Sequence, residues 1–188
     1  MRVCFVCTGN ICRSPVADVV LRRLAADTPL TDGTTLADHL EVDSAGTGNW
    51  HAGEPMDPRA AAVLAAHGYV DHGHRARAFE AGWFDRYDLV VAVARSHQQT
   101  LRGLARNRVG GGDDHDAKLV LLRSYDRRAG GEVDVPDPYY GEYADFEACL
   151  AMVETACRGL VEVLAATVDG RPAVQAPDGS SVISDPAS

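Results

Sequence analysis

The stretch that decides the fold lies near the start of the chain and reads Val3-Cys4-Phe5-Val6-Cys7-Thr8-Gly9-Asn10-Ile11-Cys12-Arg13-Ser14-Pro15. Its four leading residues are all apolar, which is typical of a strand buried on both faces of a sheet. Gly9 permits a tight loop, Ser14 is a favourable helix N-cap, and Pro15 then takes the first helical position. We therefore predict a strand, a loop of phosphate size and a helix, in that order.

The predicted loop has the chemistry of an anion-binding site that holds a nucleophile. Its backbone N–H groups and the helix N-terminus would converge on one point, where a phosphate fits. Cys7 lies at the mouth of the loop, and such surroundings favour the thiolate over the thiol. Arg13 can bind two phosphate oxygens through its planar guanidinium, and Ser14 can donate to the sulfur as it leaves. The alternative is that Cys7 is a small apolar residue at a strand end.

A second candidate group lies in the late segment Val135-Pro136-Asp137-Pro138-Tyr139-Tyr140-Gly141, which its prolines and glycine mark as a loop. A positioned carboxylic acid such as Asp137 can protonate the leaving oxygen of a phosphate ester as the bond breaks. An aspartate before a proline is also commonly a turn or a helix cap, the role that we predict for Asp57. The adjacent Tyr139 and Tyr140 are suited either to lining a cleft or to packing on the surface.

A third segment, Asp43-Ser44-Ala45-Gly46-Thr47-Gly48-Asn49-Trp50-His51, ends a predicted strand and continues into a glycine-rich loop. A loop tryptophan with a polar neighbour can stack on an aromatic ring of a substrate. The alternative is that Trp50 covers an edge of the core.

In order and rough spacing, these three segments closely resemble those of the bacterial low-molecular-weight protein tyrosine phosphatases, over about residues 1–165. The resemblance implies a three-layer αβα fold with a central four-stranded parallel sheet in the order 2-1-3-4 and a phosphate-binding loop after strand 1. It also implies hydrolysis of phosphotyrosine monoesters through a phosphocysteine intermediate, without a cofactor. The catalytic residues would be Cys7, Arg13 and Asp137, with Asp137 as the general acid.

The resemblance assigns further residues to three supporting roles. The phosphate would be bound by the loop residues Thr8, Gly9, Asn10, Ile11, Cys12, Arg13 and Ser14. The walls of the cleft would be Trp50, His51, Tyr139 and Tyr140, and in some members of the family the two tyrosines are themselves phosphorylated. A hydrogen-bond network behind the loop would contain Asn10, Ser14, Ser44 and His74. Asn10 is also the residue that we expect in a left-handed backbone conformation, which asparagine tolerates.

Elsewhere in the chain, apolar runs alternate with helical patterns, which predicts a parallel sheet with right-handed crossovers. Strands are predicted at 40–45, 89–93 and 120–122, and helices at 14–26, 57–67, 80–85, 96–104 and 143–167. The segment 27–38 and the glycine-rich stretch 109–114 are predicted loops. We place one domain at residues 1–167 and a disordered tail, rich in Pro, Gly, Ser and Asp, at residues 168–188.

Five cysteines in such a chain are expected to be reduced thiols and not a disulfide framework. Cys4, Cys149 and Cys157 are predicted core residues. Cys12 shares the tight loop with Cys7, so a disulfide between them is within reach, and it would protect Cys7 from irreversible oxidation. The alternative is that Cys12 only points into the core. The histidines show no metal-ligand spacing, so no metal is expected.

Charge and hydropathy exclude several classes of partner. The 188 residues carry a formal net charge of −9, which disfavours nucleic acid and anionic membrane surfaces. No apolar stretch is long enough to insert into a membrane, and no signal-peptide pattern opens the chain. We expect a cytoplasmic protein, with leaderless export compatible, that exists as a monomer or a weak dimer and acts on tyrosine-phosphorylated proteins or peptides.

Three alternatives remain at this point. A thioredoxin-coupled arsenate reductase has the same loop, but it needs two further redox cysteines, and none lies between Cys12 and Cys149. A phosphoarginine phosphatase typically has Thr in place of Ile11, whose apolar side chain better suits an aryl group. A phosphotyrosine-binding module without turnover would not need the full catalytic trio. One departure from the family is Ala94, where many members have Asp.

Overall fold

The computed structural model describes residues 1–107 and 114–171. Its centre is a parallel sheet of four strands: β1 (Arg2–Cys7), β2 (Glu41–Gly46), β3 (Leu89–Ala92) and β4 (Leu119–Leu121). The strand order is β2-β1-β3-β4, so β1 has a neighbour on each side and its carboxyl end lies in the middle of the sheet edge. The predicted fold class and strand order are confirmed.

Helices cover both faces of this sheet. The α-helices are α1 (Arg13–Ala26), α2 (Pro58–Ala66), α3 (Arg95–Arg106), α4 (Asp114–Ala117) and α5 (Tyr143–Val168), and short 3-10 helices span Leu36–His39, Ala81–Asp85 and Leu122–Tyr125. Alternate residues of β1 enter two separate apolar clusters: Val3 and Phe5 pack on the side of α1, α2 and α5, while Cys4 and Val6 pack on the side of α3. This alternation produces the three layers.

The start of α1 differs from the prediction. The N-cap residue is Cys12 and not Ser14, and no side chain caps the helix there. The reason is that the Ser14 hydroxyl faces inward, where it donates to the carbonyl oxygen of Ala45 at 3.1 Å and lies against the Cys7 sulfur. The predicted cap at Asp57 is confirmed, since its carboxylate accepts from the N–H of Arg59.

Two predicted segments are only partly within the described residues. The structure describes only Asp114 of the predicted loop at 109–114. It describes residues 168–171 of the predicted tail at 168–188, and the first of these, Val168, is the last residue of α5. The segment 27–38, predicted as a loop, contains the beginning of the 3-10 helix Leu36–His39. Across residues 1–107 and 114–171, no helix combines the length and hydropathy that a bilayer span requires.

Gly159 in α5 permits a close approach between this helix and the segment after β4. A Cβ atom on Gly159 would lie 2.1 Å from the carbonyl oxygen of Tyr125, whereas a Cβ on Gly103 in α3 would meet no atom within 4 Å. Helix propensity favours alanine over glycine by about 1 kcal/mol at both positions. Only steric contact distinguishes them.

We therefore expect opposite effects of the same substitution at the two sites. Gly159→Ala should lower the free energy of unfolding by about 1–3 kcal/mol, the usual cost of overpacking. Gly103→Ala should raise it by up to about 1 kcal/mol. Urea denaturation of both variants measures this, and a Gly159→Ala protein as stable as the Gly103→Ala protein would contradict the packing described here.

Candidate active site

The loop between β1 and α1 is held in place through Asn10. This residue has a φ of 57°, the left-handed conformation predicted for it, and it is completely buried. Its side-chain amide donates to Ser14 Oγ at 3.0 Å, and its amide oxygen accepts from the N–H of Arg77 at 2.9 Å. Its carbonyl oxygen lies 2.6 Å from His74 Nε2. Every polar group of the Asn10 side chain is thus used to fix the loop.

The carbonyl oxygens of this loop accept hydrogen bonds from the surrounding protein. Those of Cys7 and Thr8 accept from the N–H groups of Thr47 and Gly48, which follow β2. The carbonyl of Ile11 accepts from the N–H of Asp57. A loop whose carbonyl groups bond outward presents its N–H groups to the concave side, where they can bind an anion.

The sulfur of Cys7 lies at the base of this concave side. It is 2.9 Å from Ser14 Oγ and accepts from the N–H of Asn10 at 3.3 Å, and Cys7 is only 2% exposed. The Ser14 hydroxyl has one proton and two acceptors within reach, the sulfur and the Ala45 carbonyl. It can therefore donate to a thiolate, or accept from a thiol while it donates to Ala45.

Ser44, also predicted for the supporting network, contributes differently through its side chain and its backbone. Its hydroxyl is buried and, within the described part of the chain, has no hydrogen-bond partner. The physical reason is that Ser14 Oγ is already surrounded by the Asn10 amide, the Ala45 carbonyl and the Cys7 sulfur. Ser44 contributes through its backbone instead, because its carbonyl accepts from Arg77 Nε at 3.3 Å.

Arg13 is a buried cation at the centre of the site, with 6% of its surface exposed. One terminal nitrogen donates to the carbonyl of Val135 at 3.2 Å, and the other donates to Thr8 Oγ1 at 3.1 Å and to Asp137 Oδ2 at 2.5 Å. Its Nε is buried and has no partner among the described residues. This nitrogen is a donor that an anion in the loop can use.

The sulfur and the guanidinium face a cavity of about 340 Å³. Its lining contains the four predicted wall residues, Trp50, His51, Tyr139 and Tyr140, together with Cys7, Arg13 and Asp137. Of the predicted phosphate-binding loop it contains Thr8, Gly9, Ile11, Cys12 and Arg13, whereas Asn10 and Ser14 lie behind the loop and do not line it. Trp50 is 71% exposed and lies against Gly48, so it does not cover the core. Tyr139 and Tyr140 meet edge to face with ring centroids 4.9 Å apart.

His51 connects the phosphate loop with the opposite wall. Its ring lies so close to Gly9 that a Cβ atom there would be 2.8 Å from His51 Cδ2. Its Nδ1 is 2.7 Å from a carboxylate oxygen of Glu54, and its ring centroid is 6.2 Å from that of Tyr139. A side chain at position 9 would therefore force the His51 ring to move.

The cysteines behave as free, buried thiols. Cys4, Cys149 and Cys157 are core residues, as predicted. Cys12 lines the same cavity as Cys7, and burial, followed by the charge of Asp57, raises the pKa of its thiol. In residues 1–107 and 114–171 no three His, Cys, Asp or Glu side chains are grouped so that they could hold a metal ion.

His97 is the site residue that the sequence did not reveal. It is 5% exposed, and its Nε2 lies 2.9 Å from Thr8 Oγ1, which also accepts from Arg13. Burial, assisted by the nearby charge of Arg13, lowers the pKa of His97 to about 4. The available signal was helical spacing, since His97 shares the buried face of α3 with Leu101 and Ala105.

Comparison with known proteins now decides the family. The family model for low molecular weight phosphotyrosine protein phosphatases matches residues 2–169. The chain belongs to this family. It is 53% identical over 175 residues to a low molecular weight protein-tyrosine-phosphatase of Streptomyces coelicolor, an alignment that covers 92% of this chain and 98% of the relative. The resemblance inferred from the three motifs is confirmed, and protein-tyrosine phosphatases are phosphoric monoester hydrolases.

Solved structures of this phosphatase family show the same fold. A protein tyrosine phosphatase from Entamoeba histolytica matches with a TM-score of 0.76 and 26% identity, over 90% of this chain and 98% of that one. A Drosophila arginine phosphatase matches with a TM-score of 0.74 and 29% identity, over 86% and 96% of the two chains. The fold therefore occurs with more than one phosphorylated substrate.

The environment of His97 predicts a pH-dependent contribution to stability. In the folded state its pKa is about 4, whereas the ordinary histidine value is 6.5, so acidification favours the unfolded chain. The stability that depends on a neutral His97 is fully present above pH 6.5 and is lost as the pH falls towards 4. Between pH 7 and pH 5 the free energy of unfolding should fall by about 2 kcal/mol more in the unmodified protein than in His97→Gln. Urea denaturation at both pH values tests this; equal losses would contradict the described environment.

Proposed function

We propose that this chain hydrolyses phosphotyrosine in proteins or peptides through a phosphocysteine intermediate. The observation that supports the proposal is the convergence of the Cys7 sulfur, the Arg13 guanidinium and the Asp137 carboxylate on one cavity with aromatic walls. Sulfur supplies the nucleophile, the guanidinium binds the phosphate oxygens, and the carboxyl group exchanges a proton with the leaving group.

In the first step the Cys7 thiolate attacks phosphorus, and the bond from phosphorus to the phenolic oxygen breaks. The loop N–H groups and Arg13 stabilise the charge on the three equatorial oxygens. For this the phosphate must take donors of Arg13, so the contact between Arg13 and Asp137 at 2.5 Å has to open. Asp137, in its protonated form, then gives its proton to the departing oxygen.

In the second step water attacks the phosphocysteine. Asp137, now a carboxylate, accepts a proton from the water as the new bond from oxygen to phosphorus forms. The phosphorus–sulfur bond breaks, its electron pair stays on the Cys7 sulfur, and inorganic phosphate leaves. Ser14 Oγ, 2.9 Å from the sulfur, donates a hydrogen bond that stabilises the thiolate as it is released. After the two steps Cys7 is again a thiolate and Asp137 is again protonated, so the site is ready for the next substrate.

The walls of the cavity favour an aryl ester over phosphoarginine. Ile11 contributes an apolar side chain to the lining, and Trp50, Tyr139 and Tyr140 offer aromatic surface to a ring. An arsenate reductase is not favoured, because the remaining cysteines, Cys4, Cys149 and Cys157, are buried in the core. We place the activity in the cytoplasm, where Cys7 stays reduced, with a monomer or weak dimer acting on phosphorylated proteins.

The experiment that tests the function is turnover of aryl phosphates by the whole chain and by Asp137→Ala. We expect the variant to lose about 10²–10⁴-fold in kcat/KM on phosphotyrosine peptides and far less on an ester with a very acidic leaving group. Cys7→Ser is the control. It should bind the substrate without turnover, and vanadate should compete with that binding. An unchanged rate of Asp137→Ala on phosphotyrosine would exclude the proposed acid, and faster hydrolysis of phosphoarginine would change the substrate class. A wild-type chain that binds but never turns over would be the silent module.

We also propose that Cys12 protects Cys7 by forming a disulfide with it when Cys7 is oxidised. Support comes from their common place in the loop and the cavity. After brief peroxide treatment and dithiothreitol, the unmodified protein should regain most of its activity and Cys12→Ser much less, because a sulfinic acid is not reduced by thiols. Cys149→Ser is the matched control, a core cysteine outside the loop, and should recover like the unmodified protein. Equal recovery of Cys12→Ser would refute the protective role.

A further inference from the structure

The N-terminus of α3 has no cap of its own. Its N-cap residue is Ala94, with an extended backbone (φ −154°, ψ 159°) and no side chain that could accept a hydrogen bond. The N–H of Arg95 donates instead to Asp134 Oδ1 at 2.6 Å, across 39 residues of sequence. A carboxylate at this position satisfies a free N–H group and interacts favourably with the helix dipole.

The residue that supplies this cap belongs to the segment that carries Asp137. Its second carboxylate oxygen accepts from Arg95 Nε at 3.1 Å, and its backbone carbonyl accepts from Arg123 Nη1 at 3.0 Å. Asp134 is therefore attached by side chain and by backbone, to two different elements. Asp134 is not among the residues that line the cavity, so it does not act on a substrate directly.

The next residues transmit this attachment to Asp137. The N–H of Val135 donates to the carbonyl of Val93 at 2.9 Å, and the Val135 carbonyl accepts from Arg13 at 3.2 Å. Pro136 follows, and its ring fixes φ, so little rotational freedom separates the anchored pair from Asp137. A movement at residue 134 would consequently move the carboxyl group of Asp137.

Electrostatics keep the cap charged. Partial burial alone would raise the pKa of Asp134, but the hydrogen bonds from the N–H and the guanidinium of Arg95 outweigh it and lower the pKa below its usual value. The ion pair with Arg95 is itself half exposed and contributes little energy. Geometry, more than charge, is what this contact provides.

We propose that Asp134 is a positioning residue for Asp137: by capping α3 from another segment, it fixes the backbone from which the proton-transferring carboxyl group projects. This inference rests on the proposed function of Asp137. The competing explanation is that Asp134 only stabilises α3, in which case any other cap would replace it.

The chain allows these two explanations to be separated. Asp134→Ala removes both the cap and the attachment of the acid segment. Ala94→Ser combined with Asp134→Ala restores a cap from within the helix, since serine is a good N-cap and small enough for a buried position, but it does not restore the attachment. This double variant also keeps the test possible if Asp134→Ala alone folds poorly.

The readout is kcat/KM for phenyl phosphate, a poor leaving group, and for 2,4-dinitrophenyl phosphate, a good one. We expect Asp134→Ala to lose about 10-fold to 10²-fold on the first substrate, the range for a displaced catalytic group, and little on the second. The double variant with Ala94→Ser should regain thermal stability. It should still be slow on phenyl phosphate and nearly unaffected on 2,4-dinitrophenyl phosphate. Recovery of both stability and rate would show that Asp134 is only a cap and would overturn the proposal.

A second double variant tests whether Asp134 acts through Asp137. In an Asp137→Ala background, adding Asp134→Ala should not change kcat/KM further, because the group that it positions is already absent. An additional loss of the same size as in the unmodified protein would overturn the proposal. If instead Asp137→Ala alone loses the same factor in kcat/KM on both substrates, Asp137 is not the general acid and the proposed function fails. That result differs from an additional loss in the double variant, which contradicts only the role of Asp134.

Discussion

The structure of the site depends on one buried cation. A guanidinium taken out of water is unfavourable unless its N–H groups find partners, and Arg13 is 6% exposed. Its three partners come from two distant parts of the chain: Thr8 in the loop, and Val135 and Asp137 in the late segment. Satisfying this charge therefore brings the nucleophile and the acid to the same place.

His97 extends the same constraint by one step. Thr8 Oγ1 accepts from Arg13, so the Thr8 hydroxyl proton is free to be donated to a neutral His97 nitrogen 2.9 Å away. A protonated imidazole could not accept it, and it would add a second cation beside Arg13. A neutral imidazole avoids this second charge, in agreement with the low pKa of about 4.

Whether a feature of the fold or the site could be predicted from the sequence depends on how far apart in the chain the interacting residues lie. The strand, the loop and the left-handed Asn10 are local properties, so residues 3–15 were sufficient to predict them. The cap at Ser14 was predicted incorrectly because it depends on what surrounds Ser14 in three dimensions. His97 and Asp134 act across 89 and 39 residues of sequence, and no local pattern records such a contact.

The role of Asp134 also explains how α3 begins in the absence of an acidic residue at position 94. Resemblance to the family leads one to expect Asp there, yet the chain has Ala94, and the carboxylate at this helix terminus comes from Asp134. The N–H of Arg95 donates to this carboxylate, which lies on the segment of Asp137. A cap within α3 would stabilise that helix alone. A cap supplied by residue 134 links the stability of the helix to the position of the acid.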